Sequence, residues 1–372
     1  MLAASVTNVI SSVLMSVRYK PGDVDFQRFM HLMDEGFRLF TVAAKVNVFP
    51  VLRFLPRMSA AYRQLRANRD EMHGYFRGII AEHRATLQPE GPPRDLVDAY
   101  LHEMMLGDDD QSASSSSSGS SSSSSESDSG SSSSSSRRDL FCGKDPDRQL
   151  CQIMSDLFSA GQETVKTTLQ WAVLFMLHNP EVQERVQEEL DAVLGSRSHA
   201  TLADAAFLPY TEATICEVLR RSNVAGLGTT HATTCDVRID NHLIPKDTQV
   251  LPLLWAVHMD PELWPDPESF RPARFLNDQG KVHKPEYFMP FGIGRRMCLG
   301  DVLAKMEIFL FFTSLLHAYT LLPDGDDLPN LDAHVAATIA PSTYKVGESK
   351  TAAEGSGVRV RARRRRREVA SV

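Results

Sequence analysis

Between Phe26 and Ala44 the large apolar residues Phe29, Met33, Phe37 and Phe40 recur at intervals of three and four, which predicts an amphipathic helix with one buried stripe. Arg57 to Thr86 repeats the pattern, with Tyr62, Leu65, Met72, Phe76, Ile79 and Ile80 on one side and arginines on the other. The stretch between them, Val46 to Leu55, is apolar but broken by Pro50 and closed by Pro56, so a loop or short turns are expected there. Met1 to Val17 reads as a further amphipathic helix: Ser5, Thr7, Asn8, Ser11 and Ser12 interrupt it and no basic segment leads it, unlike a signal peptide. Asp95 to Met105 is helical in pattern. Arg148 to His178 is the longest helical run, striped by Leu150, Ile153, Leu157, Leu169, Val173 and Leu177. Asn179 is placed to cap, Pro180 to begin the next helix, and Gly195 to stop it after Leu194. Pro209 to Arg221 predicts another helix.

From Thr229 the period shortens. Cys235 to Ile239 and Gln249 to Leu254 read as short strands, with turns at Asn241 and at Pro245 to Asp247. Trp264 to Phe275 is proline-rich and irregular. A helix is expected from Asp301 to Leu316, and beyond it Tyr319 to Leu322 and Ser342 to Val346 are expected to pair as a terminal hairpin. No repeat of solenoid period stands out.

Two segments fall outside any core pattern. Ser112 to Ser136 is serine apart from Ala113, Gly119, Glu126, Asp128 and Gly130, has nothing apolar to bury, and reads as a solvated insertion within a domain. The tail from Glu348 carries Arg363 to Arg367 near its end, a charge run expected to be solvated and disordered, so the domain is taken as 1–346 and the basic tail as 347–372. Hydrophobic content of 42% and charged content of 23% are those of a globular chain, and a net charge of −7 argues against nucleic-acid binding. The five cysteines, Cys142, Cys151, Cys216, Cys235 and Cys298, are odd in number and unpaired in spacing, which argues for a reducing compartment and against a disulfide framework or a zinc site. No window holds the roughly 20 apolar residues of a membrane-spanning helix.

The chain is organised around Phe288 to Gly300. Gly292 and Gly294 let the backbone turn where a side chain would collide, and Gly300 lets the next segment pass close to a flat ligand. Cys298 is the only sulfur so framed. A thiolate among backbone N–H groups and cations ionises readily, as an iron ligand must, and the positive end of the helix beginning at Asp301 would face it. The alternative is a buried free cysteine in a glycine-rich turn.

Phe291, Gly294, Arg296, Cys298 and Gly300 together resemble the haem-binding signature of the cytochrome P450 monooxygenases. The resemblance implies a mainly α fold with a small β part, haem b (iron protoporphyrin IX) held by the Cys298 thiolate, and insertion of one oxygen atom from O2 into a C–H bond. It implies NADPH-cytochrome P450 reductase as electron donor, a lipophilic substrate, and a place on the cytosolic face of the endoplasmic reticulum membrane. In that family the stretch equivalent to Val46 to Leu55 often dips into the membrane surface; an ordinary core-facing loop is the alternative. Nothing in the chain reads as a flavin or nicotinamide site, since Gly292 and Gly294 lack a strand-turn-helix setting. Wording such as Leu157 to Gly161, Gly228 to Thr234, His258 to Pro261 and Lys284 to Phe288 is similar to the insect ecdysteroid 26-hydroxylase branch, which implies side-chain hydroxylation of a steroid hormone and its inactivation.

Companion motifs lie elsewhere in the chain. Ala160 to Thr164 puts Gly161 inside the longest helix, where glycine costs about 1 kcal/mol relative to alanine. Beside the polar Glu163 and Thr164 this predicts a local opening of the helix. It resembles the family's oxygen-activation motif, in which Glu163 and Thr164 would pass protons through water; a kinked helix with an outward Glu163 is the alternative. Glu217 and Arg220 lie three apart on one helix face. With Arg274, in a segment resembling the family's second arginine element, they are expected to form a buried network that fixes the cysteine loop. His231 and Arg296 are carried over as partners of the haem propionates. Arg295 and Lys305 flank the thiolate side, where they would dock an acidic redox partner or simply be solvated.

The family's N-terminal anchor, its first helices and much of its small sheet have no counterpart, so an N-terminally truncated P450 fold is expected. Its Trp-x-x-x-Arg pair is absent as well: Trp171, Trp255 and Trp264 are followed four places later by Phe175, Met259 and Glu268. A catalytically inactive fragment that takes up no haem is the alternative function.

Overall fold

The computed structural model describes residues 2–20, 22–115, 145–324, 328–335, 337–342, 344–347 and 359–365. Its helices are α1 (Leu2–Met15), α2 (Val24–Val48), α3 (Pro56–Thr86), α4 (Leu96–Ser115), α5 (Pro146–His178), α6 (Pro180–Leu194), α7 (Pro209–Ser222), α8 (Leu254–His258) and α9 (Asp301–Ala318). The chain divides into two compact units, 1–162 and 163–372, the division falling inside α5.

The described residues of the first unit form helices and turns, with no strand among them. Asp23 caps α2, its carboxylate accepting from the Phe26 N–H at 3.0 Å. The expected stripes meet in an aromatic core: the Phe29 ring lies 5.7 Å from Phe76 and 4.6 Å from Phe158, both edge-on. The far ends of the stripes do not join it. Phe40 and Tyr62 are exposed, as are Phe49, Val51, Phe54 and Leu55 around the 3-10 turn Pro50–Phe54.

Helix α5 is unbroken through Ala160–Thr164, so the expected opening is not there. Gly161 has a packing reason instead. A Cβ at this position would stand 2.9 Å from Ile10 Cδ1, so the missing side chain lets α1 approach. Ser112–Ser115 continue α4, while residues 116–136 of the serine run lie outside the described residues.

The second unit sets helices beside small sheets. Pro180 opens α6 as expected, but Asn179 does not cap it with its side chain, which donates instead to the Phe175 carbonyl at the end of α5, 2.8 Å away. Strand β1 (His231–Ala232) pairs antiparallel with β4 (Gln249–Val250), and β2 (Val237–Ile239) with β3 (His242–Ile244), the latter through a turn with Asp240 at φ 51°. Strand β6 (Ala333–Val335) pairs with β7 (Ile339–Pro341).

The terminal hairpin is not formed as expected. Strand β9 (Arg359–Arg364) lies between β5 (Tyr319–Pro323), antiparallel, and β8 (Lys345–Gly347), parallel. The basic tail is therefore not wholly disordered: alternation puts Val360 inward, 1% exposed, while Arg361 pairs with Asp324 at 2.9 Å. Arg365, just beyond, pairs with Asp191 at 2.6 Å. Residues 348–358 and 366–372 lie outside the described residues.

Gly228, just ahead of β1, has φ 64°, and a Cβ there would stand 2.5 Å from the Pro252 carbonyl oxygen. Backbone cannot yield as a side-chain end can. Gly228→Ala is expected to cost at least about 2 kcal/mol, read as a lowered urea midpoint.

Candidate functional site: an exposed thiol over a buried charge cluster

The cysteine loop is shaped by its glycines. Gly292 and Gly294 sit at φ 73° and 74°, a region that side chains rarely adopt. The Gly292 N–H donates to the Met289 carbonyl at 3.0 Å, Met297 to Gly294 at 3.2 Å, and Cys298 to Phe291 at 2.8 Å, closing the loop on itself. This last bond leaves the Cys298 side chain exposed immediately before α9. Around it stand apolar side chains facing outward: Ile293 is 69% exposed, Leu299 87% and Val302 58%. No Cβ placed at Gly294 or Gly300 would meet another atom within 4 Å. A soft sulfur donor, an open floor and an apolar rim are the donor chemistry and the shape that a flat metallated macrocycle requires. The residues present therefore fit a haem.

Behind this loop lies a cluster of buried charges. Glu217 and Arg220 on α7 are both 0% exposed. Arg220 grips the carboxylate with two bonds, Nε to Oε2 and Nη2 to Oε1, each 2.8 Å. Arg274 Nε reaches Oε1 at 3.1 Å and the Arg271 backbone N–H reaches it at 2.9 Å. The remaining guanidinium donors are also spent: Arg220 Nη1 on the His258 carbonyl at 2.8 Å and Nη2 on that of Pro267 at 2.9 Å. Arg274 donates to the carbonyls of Pro265, Asp266 and Ser269, each 3.1 Å away. A buried pair this fully hydrogen-bonded has its desolvation offset.

The proline-rich segment is thereby given a shape. Trp264 and Phe275 pack with Ala213 and Cys216 of α7, and against Tyr287 and Phe288, where the cysteine loop begins. Ring centroids are 4.9 Å apart for Trp264 and Tyr287, and 4.7 Å for Phe275 and Phe288. Burial pushes the Cys216 thiol up to about 12, so this second sulfur stays a neutral core residue.

Sequence reasoning missed His258. It is 0% exposed; its Nδ1 lies 2.9 Å from Asn223 Oδ1, and its Nε2 is 3.0 Å from the Met289 N–H. Burial first, and Arg220 second, hold its pKa down at about 4. The available signal was its place in His258–Pro261, which begins at the last residue of the short helix α8.

The structure gathers Phe291, Gly294, Cys298 and Gly300 in one loop and Glu217, Arg220 and Arg274 in one cluster. Glu163 does not point outward: 8% exposed, it pairs with Lys166 Nζ at 2.5 Å and accepts from Thr167 Oγ1 at 3.3 Å. Thr164 is half-buried, and its carbonyl accepts from Thr168 Oγ1 at 2.9 Å. His231 is half-buried at the start of β1 and Arg296 is exposed beside Cys298. Among the described residues, neither side chain makes a hydrogen bond or ion pair, so both are available to anionic groups. Lys305 is engaged, paired with Asp301 at 2.6 Å and 5.0 Å from the Phe291 ring centroid. Among the described residues no helix is long and apolar enough to cross a membrane.

Comparison with known proteins agrees with this geometry. The profile of the family described as Cytochrome P450 matches residues 1–121 and 139–347. The chain is 44% identical to Cytochrome P450 18a1 of Drosophila melanogaster over 93% of its own length and 60% of the relative's. It is 35% identical to human Cytochrome P450 2U1, over 94% and 59%, and 35% identical to human Cytochrome P450 2D6, over 93% and 64%. It thus spans about three fifths of the length of these curated relatives. With a family match over most of its residues and a cysteine loop of the shape described, the chain belongs to the cytochrome P450 family.

Proposed function

We propose that this chain carries the haem-holding part of a monooxygenase that inserts one oxygen atom from O2 into a C–H bond of a lipophilic substrate. The observation that carries this is the exposed Cys298 sulfur, presented by a glycine-opened loop at the start of α9 and backed by the buried Glu217 cluster. Bound there, haem would supply the activation of O2, chemistry that side chains lack. The protein's part is to hold and to orient. Cys298 would give the metal its thiolate; Phe291 would pack beside the sulfur, and Gly294 and Gly300 would leave room for the macrocycle. His231 and Arg296, both without partners among the described residues, would neutralise two carboxylates brought in with it. Glu217, Arg220 and Arg274 would keep the loop's support rigid.

Glu163 and Thr164 are assigned to proton delivery. Since Lys166 engages Glu163, that carboxylate must turn from its ammonium partner to pass a proton toward Thr164. The substrate class is steroid, and within it an ecdysteroid hydroxylated on its side chain; the likeness of residues 157–161, 228–234, 258–261 and 284–288 to the ecdysteroid 26-hydroxylase branch supports this. Electrons would come from NADPH-cytochrome P450 reductase, meeting the exposed Arg295 face at the cytosolic surface of the endoplasmic reticulum membrane.

The test is the carbon monoxide difference spectrum of the dithionite-reduced, haem-reconstituted chain. The expected result is the long-wavelength Soret band of thiolate-ligated haem. Absence of haem uptake would mean that the chain is an inactive fragment. Titration of the loaded protein with an ecdysteroid and with a fatty acid is expected to shift the Soret band for the steroid alone; a response to the fatty acid alone would overturn the substrate class.

A further inference from the structure

We infer that His258 is a positioning residue that docks the start of the cysteine loop onto the Glu217–Arg220–Arg274 cluster, and does so only as the neutral Nδ1–H tautomer. This deepens the proposed function, because it concerns how the cysteine is held, but the contacts stand without a bound cofactor. Two segments distant in sequence, the end of α7 and the start of the cysteine loop, converge on this one residue. Its carbonyl takes a bond from Arg220 Nη1 at 2.8 Å, its Nε2 takes one from the Met289 N–H at 3.0 Å, and its Nδ1 meets Asn223 Oδ1 at 2.9 Å. Met289 belongs to the loop itself: its carbonyl accepts the Gly292 N–H at 3.0 Å, the first turn toward Cys298.

The proton inventory admits one arrangement. A backbone N–H only donates, so Nε2 must present its lone pair. A neutral imidazole then carries its single proton on Nδ1, which must donate, and the amide of Asn223 must turn its oxygen toward it. Asn223 is fit for this place because it ends α7 in the left-handed conformation, φ 45°, which asparagine tolerates. Its Nδ2 is buried and finds no partner, the cost of fixing the amide in this orientation. Protonating Nε2 would set two donors face to face at Met289, and the Arg220 guanidinium beside the ring opposes that charge. Trp264 and Phe288 wall the ring at centroid distances of 6.4 and 5.8 Å, so it cannot swing away.

The experiment is site-resolved amide hydrogen exchange on the full chain, haem-free and haem-loaded, for the wild type, His258→Gln, His258→Asn and Asn223→Ala. Glutamine can place its amide oxygen near the position of Nε2, whereas asparagine reaches only the position of Nδ1. The Met289 amide is expected to exchange at least about tenfold faster in His258→Asn and to return to within a few-fold of wild type in His258→Gln. The Leu190 amide in α6 is expected to stay unchanged, which separates loop release from general unfolding. In the loaded protein, His258→Asn should also convert faster to the form lacking thiolate ligation. Asn223→Ala leaves the ring in place but removes its proton acceptor, and is expected to loosen Met289 to a smaller extent. Should His258→Asn fail to fold, this variant decides. Equal protection of Met289 in wild type, His258→Asn and Asn223→Ala would overturn the assignment, as would a His258→Gln variant no better than His258→Asn. The haem-free measurement keeps this outcome apart from a failure of the proposed function, which would show as absent haem uptake with Met289 protection intact.

Discussion

Glu217→Ala is expected to destabilise the protein by about 3–5 kcal/mol, enough to unfold much of the second unit at ambient temperature. Four donors converge on this carboxylate, and Arg220, with no exposure to solvent, would keep a full positive charge with no counterion. Losing one partner of such a pair costs more than the pair is worth, because the survivor's desolvation is no longer offset. Glu217→Gln keeps an acceptor oxygen but not the charge, and should fall between alanine and wild type. An internal control exists in the first unit, where Arg28 and Glu71 form an ion pair with the same 2.8 Å contact but side chains 53% and 46% exposed. Glu71→Ala is expected to change stability by less than about 1 kcal/mol. Urea denaturation followed by far-ultraviolet circular dichroism ranks the three variants. Equal midpoints for Glu217→Ala and Glu71→Ala would mean that the cluster is hydrated in solution and does not support the cysteine loop.

The contrast between these pairs also explains what was legible in the sequence. Helix α7 and the pair on its face could be read from spacing alone, but an acid three residues before an arginine is equally at home in solvent. Only the arrival of residues 265–274 buries it, and that segment has no period to read. The cysteine loop was legible because its determinants are local: Gly292 and Gly294 are needed for two left-handed residues, and Cys298 lies four residues beyond the second. His258 was illegible for the opposite reason, since its partners come from Arg220, Asn223 and Met289 and no short window contains them. Gly161 misled through context. A glycine inside a helix signals either an opening or a close approach, and Ile10, some 150 residues earlier, decides for approach. The strand Arg359–Arg364 was hidden by its charge: Val360 and Ala362 alternate inward, but arginines fill the other positions, and a charge run conceals a period of two.

Cys298→Ala should leave the fold untouched and abolish thiolate ligation completely. The two halves of this expectation have separate causes. The side chain is exposed, and the bond that closes its loop is from its backbone N–H to the Phe291 carbonyl, which alanine retains. Stability should therefore change by less than about 0.5 kcal/mol, as for a surface substitution away from special features. Neither Cys216 nor Met297 can take the place of this sulfur. Cys216 is buried against Trp264 with its thiol held protonated, and Met297, though next in sequence, offers a thioether without charge. Cys298→Ser tests the same point with less change in shape: a hydroxyl is a hard donor that keeps its proton at neutral pH, so it should bind iron weakly and give no thiolate Soret band. Both variants are to be compared with wild type in the same urea titration and the same reduced carbon monoxide spectrum. An unchanged spectrum in either would place the metal ligand elsewhere in the chain, and a large loss of stability would show that the thiol supports the fold from within.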